Sequence, residues 1–372
     1  MLVLRKKHAE RIKFFEQSIK SEQTKRVYRC YLKNYMEHVG SKFNALLEGE
    51  PEDADSKKIE QSIIDFIIIL KKEKSYSAIH NYVSAVIAFY KINDIMLNVN
   101  KIARFMPQQR KSNKDRAYTH EEIARLLSVS DERMRAIILL LASSGMRIGA
   151  IPSLRLSSLE GLRIGIEESK IYKITVYEND RDEHFTYCTP ECAKSIDEYL
   201  QMRSRYGEKL NDNSYLIREL YDLRDPFALK RPARQMRPQT IQNKIIELGI
   251  RAGIRGKTVL EKNMKSNQGG SCRKDVPAAH GFRKFFTTQL VNVKVNPEIR
   301  EMLLGHKIGL TSAYYKPTDD DFLIEYRKAV NNLTINEVNK LKVQVKKLEI
   351  EKSQLEKLTS DVALLKRRWK LK

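Results

Sequence analysis

Three short segments in the second half of the chain carry side chains suited to phosphodiester chemistry. In SSGMRIGAIPSL, Arg147 follows a glycine at the end of an apolar run. In HGFRKFFTTQL, His280 and Arg283 stand at i and i+3 and so share a helix face. In LLGHKIGLTSAYYKP, His306 precedes Tyr315 by nine residues. Guanidinium forks hold the non-bridging oxygens of a phosphate and stabilise the charge that grows on them in the transition state. Histidines donate hydrogen bonds or move a proton near neutral pH. A tyrosine hydroxyl can attack phosphorus and form a covalent phosphoryl-enzyme link. Spacing alone does not single out the nucleophile among 17 tyrosines.

The elements that must position these residues are mostly helical. From Met1 to about Phe105, apolar side chains recur at three- and four-residue spacing: Tyr28, Tyr31, Leu32, Tyr35; Ile63, Phe66, Ile67, Leu70; Tyr82, Val86, Phe89, Tyr90. Thr24 and Ser75 stand near helix starts. Residues 107–117 form a basic, polar connector with Arg110, Lys111 and Lys114, and a second domain begins at Tyr118. There Thr119 and Glu122 read as a capping box, and Ala136–Ser144 as a buried helix. Ile171–Val176 and His184–Cys188 read as two strands around the turn Glu178–Arg181. Helical patterns return at Ala193–Arg203, Thr240–Ala252, Gly281–Val291 and Pro297–Leu304. The expected fold is mainly α with a small β-sheet: a helical domain over 1–106, a catalytic domain over 118–330 and a basic tail over 331–372. In the tail, Leu341, Leu348, Leu355, Val362 and Trp369 are spaced by seven. It either pairs with another copy as a coiled coil or lies as a single amphipathic helix on its own domain or on DNA.

The chain has 372 residues, 69 Lys plus Arg against 47 Asp plus Glu, and a formal charge of +22. Hydrophobic residues make up 41%, which excludes a wholly disordered basic protein. The longest apolar runs fall far short of the roughly 18–20 residues that span a bilayer, and the N-terminus lacks a signal-type hydrophobic segment. Four cysteines in a chain this long make no disulfide scaffold, and no second close Cys or His pair accompanies Cys188 and Cys192 to hold zinc. A reduced, cytoplasmic protein without a metal, acting on a nucleic acid, is the expectation.

Taken together, the segments resemble the tyrosine recombinases, or phage-type integrases. SGMR ends at Arg147 like that family's first arginine box, HGFR supplies His280 and Arg283, LLGH supplies His306, and the nine-residue spacing selects Tyr315. The likeness covers about Thr24 to Tyr326, and the basic tail looks most like that of archaeal integrases. It implies a helical, SAM-like core-binding domain ahead of the catalytic one, and a site-specific recombinase of mobile elements. Tyr315 would then attack a scissile phosphate to give a 3′-phosphotyrosyl link. Arg147 and Arg283 would clamp the phosphate, His306 would donate to it, and His280 would assist proton transfer, with no cofactor. Tyr314 is the competing nucleophile, and packing is its alternative role.

The sequence departs from the family twice. An acidic residue usually follows the first arginine by three positions, and here Ala150 stands there. The family's hairpin lysine, which protonates the leaving 5′-oxygen, has no clear counterpart; Lys173 is the nearest choice and Arg181 a fallback unable to donate its proton readily. Lys230, Arg231, Arg234 and Arg237, with Arg273 and Lys274 before His280, fit contacts to double-stranded DNA. The resemblance implies a tetramer on two duplexes. A type IB topoisomerase and a non-catalytic DNA-binding protein on the same fold are the alternatives.

Overall fold

The computed structural model describes residues 2–40, 43, 55–108, 115–164, 169–219, 221–222, 224–225, 227–228, 230–256, 276–307, 309 and 314–336, and in the tail 341, 345, 349, 352–353 and 355–359. The chain divides into two compact units, one of residues 1–113 with 260–273, the other of 114–259 with 274–372. The division falls within the basic connector read from the sequence.

The first unit is a helical bundle: α1 (Leu2–Ser18), α2 (Glu22–Val39), α3 (Ser56–Leu70), α4 (Tyr76–Ile92) and the short α5 (Val99–Ala103). Its core is aromatic and branched, with Tyr35, Phe66, Phe89, Tyr90, Ile63 and Val86 buried. The buried Tyr35 hydroxyl bonds Ser62 Oγ at 2.5 Å and lies 3.2 Å from that of Tyr90, so burial leaves these polar tips partnered. Ser21, three residues before Thr24, caps α2 by accepting from the Thr24 amide.

The second unit opens on α6 (His120–Ser128), where Thr119 and Glu122 form the expected capping box and Arg116 holds both Glu122 oxygens. α7 (Glu132–Ser144) is buried along its length. It packs against α8 (Pro190–Arg205), α10 (His280–Asn292) and α12 (Asp319–Leu333). α9 (Pro238–Arg251) and α11 (Pro297–Leu303) complete the helices of this unit that bear on the site. The sheet is antiparallel and three-stranded, in the order β1 (Leu159–Ile164), β2 (Ser169–Val176), β3 (His184–Tyr187). β1 was not expected from the sequence. It is an edge strand with only Ile164 buried, so burial imposes no alternation on it. Beyond α12 the chain stays packed through Leu333, Thr334 and Ile335, all buried. Leu341, Val345, Leu355 and Leu358 are helical and exposed.

Candidate active site

Two helix ends position the functional residues. α7 stops at Gly145, whose φ of 65° is left-handed and whose amide returns to the Leu141 carbonyl at 3.2 Å. A Cβ on Gly145 would stand 2.3 Å from the Phe286 ring, so both the turn and the close approach of α10 require glycine. The chain then turns outward, and Arg147, two residues on, is exposed. α11 ends in a Schellman motif: the Gly305 amide donates to Met302 O at 2.8 Å and the His306 amide to Glu301 O at 2.9 Å. Gly305, at φ 66°, lies flat on the His184 ring.

Arg283 joins these two ends. From the face of α10 it donates through Nη1 to the Gly145 carbonyl at 2.7 Å and through Nη2 to the Leu304 carbonyl at 2.6 Å. Nη2 also lies 2.7 Å from His306 Nε2. A guanidinium has only donors, so Nε2 is the acceptor and the ring proton sits on Nδ1, which donates to the Glu301 carboxylate at 2.6 Å. Burial, joined by the nearby charge of Arg147, pushes the Arg283 guanidinium down to about 10, so it stays charged at neutral pH. Burial works against ionisation of Glu301, but hydrogen bonds from His306 and Arg300 outweigh it and hold the carboxyl below its usual range.

An open cavity of about 660 Å³ lies beside this cluster, lined by Arg147, Tyr177, Asp180, Asp182, His306 and Lys307, with Gly305 at its wall. Ala150, where the family usually carries a carboxylate, is fully buried. Acidic groups reach the cavity instead from the hairpin turn, and Asp182 lies 3.6 Å from Lys307 Nζ. Tyr177 leaves β2 at φ 57°, a left-handed backbone that costs a side-chain-bearing residue roughly 1–2 kcal/mol. His280 is exposed at the start of α10; its partial burial and the charges of Lys284 and Arg283 lower its proton affinity and favour neutral imidazole. Tyr315 is half-buried against the core of its unit and does not line the cavity. Tyr314 is 89% exposed, so the packing considered for Tyr314 falls to Tyr315. Among the described residues no group of three or more His, Cys, Asp or Glu could hold a metal ion.

A family model described as "Phage integrase family" matches residues 116–321, more than half the chain, and the match spans all five residues that carry the resemblance. The chain belongs to the phage integrase family. No curated protein matches it in a search of full sequences. Among solved structures it resembles the lambda integrase (residues 75–356) bound to DNA, with TM-score 0.50 and 13% identity over 84% of this chain and 94% of that one. XerA recombinase gives TM-score 0.37 and 22% identity, covering 86% of this chain and 98% of that one. XerH site-specific recombinase bound to its difH substrate gives 0.49 and 18%, covering 82% and 78%. As a phage-integrase family member, the chain is a site-specific tyrosine recombinase that cleaves and rejoins DNA.

Within this integrase none of the other expected residues that the structure describes lines the cavity. Lys173 donates to Asp319 at 2.6 Å and sits 4.6 Å from the centre of the Phe185 ring. Lys170 is held by Asp197 at 2.8 Å. Arg181 is exposed at the hairpin tip, and Lys230, Arg231, Arg234 and Arg237 are exposed around Pro232 and Pro238, with Arg231 3.0 Å from Asp225. Arg110, Lys111, Lys114, Arg273 and Lys274 lie outside the described residues. Sequence reading missed Glu301, Tyr177, Asp182 and His184. The glycine ending α11 was a usable helix-stop signal for the turn that brings Glu301 to His306. Nothing in the turn sequence YENDRDEH marks Tyr177 as the residue that enters the cavity.

Proposed function

We propose that this recombinase integrates or excises a mobile DNA element by strand exchange through a 3′-phosphotyrosyl intermediate. Tyr315 attacks the scissile phosphate, and Arg147 and Arg283 bind its non-bridging oxygens. Arg283 uses three of its five N–H groups within the protein, which leaves two for a phosphate. His306, once protonated on Nε2, donates to the same oxygens while Glu301 balances its charge. Neutral His280 takes the proton of the attacking tyrosine. The observation that carries this reading is the Arg283 junction: one buried side chain binds both the arginine turn and the segment from the end of α11 to His306, two places far apart in sequence.

Exchange between two duplexes needs four strand cleavages, and one nucleophile per chain implies four copies. Double-stranded DNA is held by the exposed cations Arg181, Lys230, Arg231, Arg234 and Arg237, together with Arg110, Lys111, Lys114, Arg273 and Lys274. Such contacts fix position and carry little sequence information. Among the described residues no helix is long and apolar enough to cross a membrane. The test is covalent capture: the protein is incubated with a pool of nicked duplexes of randomised sequence, and denaturant-resistant adducts are recovered and sequenced. Wild type should enrich one site and Tyr315→Phe should yield no adduct. An adduct that survives Tyr315→Phe and vanishes with Tyr314→Phe would move the nucleophile by one residue, and no adduct from wild type would leave DNA binding alone.

A further inference from the structure

Strand cleavage releases a 5′-oxygen, and an alkoxide leaves well only if it is protonated as the bond to phosphorus breaks. The strand lysines are placed elsewhere, Lys173 on Asp319 and Lys170 on Asp197. Arg181 is too weak an acid for the task. The cavity beside Arg147 and His306 does contain another side chain with a transferable proton, the phenol of Tyr177. An ordinary phenol has a pKa of about 10, close to the value of about 10.4 for a lysine ammonium.

We propose that Tyr177 is a further catalytic residue, the general acid that protonates the departing 5′-oxygen. Its side chain lines the cavity together with Arg147 and His306. Its hydroxyl lies over Gly149, close enough that a Cβ built there would be 3.5 Å away. Among the described residues that hydroxyl has no hydrogen-bond partner, so its proton is uncommitted. The hairpin holds the residue in place. Val176 and His184 form the last pair of the ladder, and Tyr177 is the first residue beyond it. The turn is closed by the Asp180 amide on Tyr177 O at 2.8 Å and the Asn179 amide on the Glu183 carboxylate at 2.6 Å. A left-handed φ on an aromatic residue is uncommon and, in a turn this well bonded, directs the ring to the mouth of the site. Burial is the larger effect and lifts the Tyr177 phenol above its usual range, so it is neutral before reaction; the charges of Arg147 and Arg283 offset part of this and favour the phenolate that proton donation leaves behind. Lys307 also borders the cavity, but its side chain is 65% exposed and faces Asp182.

The proposal rests on Tyr315 as nucleophile. As the bond from Tyr315 Oη to phosphorus forms and the bond from phosphorus to O5′ breaks, the Tyr177 proton passes to O5′. The proton of Tyr315 goes to His280. In rejoining, the 5′-hydroxyl attacks and returns its proton to the Tyr177 phenolate.

The test compares Tyr177→Phe with wild type on two nicked duplexes carrying the captured site, one with a normal 5′-oxygen at the scissile phosphate and one with bridging sulfur. A thiol has a pKa of about 8.5 and leaves as thiolate without a proton. Tyr177→Phe should slow adduct formation about 100-fold or more on the oxygen substrate and little on the sulfur one. Equal slowing on both, or none on either, would overturn the assignment. So would sulfur rescue of Lys307→Met or Lys173→Met in place of Tyr177→Phe. If wild type formed no adduct on either duplex, the Tyr315 reading itself would fall and this proposal with it, a result distinct from all the others.

Discussion

The candidate site has two sides with different degrees of internal order. On the α10–α11 side, Arg283, His306 and Glu301 form a chain of short hydrogen bonds anchored on two backbone carbonyls, and Leu303 and Leu304 beneath them are buried. On the hairpin side, Arg147 is exposed and Tyr177 is half-buried without a hydrogen-bond partner among the described residues; Tyr315 packs against the core and does not line the cavity. The difference teaches where the protein has placed its order before DNA arrives. In the proposed reading Arg283 and His306, which stabilise charge, are fixed in advance, as electrostatic catalysis requires, whereas Arg147 is not. In the same reading Arg147, Tyr177 and Tyr315 are left to be placed by the substrate.

The largest effect should come from breaking the fixed side at its centre. Arg283→Lys keeps the charge but cannot reach Gly145 O, Leu304 O and His306 together. Adduct formation should fall by about 100- to 1,000-fold with duplex binding nearly unchanged, as measured by denaturing gels beside a filter-binding assay. A matching loss of binding would place Arg283 among the general DNA contacts.

Gly305 probes the same side through shape. Gly305→Ala adds φ strain of about 1–2 kcal/mol and sets a Cβ 2.4 Å from the His184 ring. The thermal midpoint and the adduct rate should both drop. His184→Ala in the same chain should restore part of each, since it removes the clash and leaves the strain. A double variant no better than the single would show that His184 does not set the turn.

Parts of the fold and of the candidate site were legible in the sequence. The three-residue spacing of His280 and Arg283 needs only a helix, and the nine residues from His306 to Tyr315 match a known pattern. The capping box at Thr119 and the buried α7 followed from local chemistry. What the sequence hid depends on contacts between distant segments. β1 leaves no periodicity because it lies at a sheet edge, and Lys173 meets Asp319 only because β2 and α12 approach. Tyr177 becomes notable only through a backbone angle, and Glu301 reaches His306 only because α11 ends as a Schellman turn.

Glu301→Gln tests the outer end of the hydrogen-bond chain. Losing one charge-assisted bond of about 1.5 kcal/mol should slow adduct formation roughly tenfold. The folded carboxyl ionises more readily than a free one. Its contribution is therefore complete above the unfolded value of about 4.3 and disappears as pH falls through the lower folded value. The gap in thermal midpoint between wild type and Glu301→Gln should narrow as pH drops below about 4. A gap that widened with acid would contradict this linkage.

The smallest effect on chemistry should come from charges remote from both sides. Lys230, Arg231, Arg234 and Arg237 are exposed, and none of them lines the cavity. Replacing all four with alanine should weaken duplex binding and flatten the dependence of log affinity on log salt by about 0.9 for each phosphate no longer neutralised. At saturating protein the adduct rate should match wild type, because the groups around the reacting phosphate are untouched. A lower saturated rate would show that these loops help close the hairpin side of the site. The fixed side would then be ordered by the fold, and the open side by the same DNA contacts that hold the duplex.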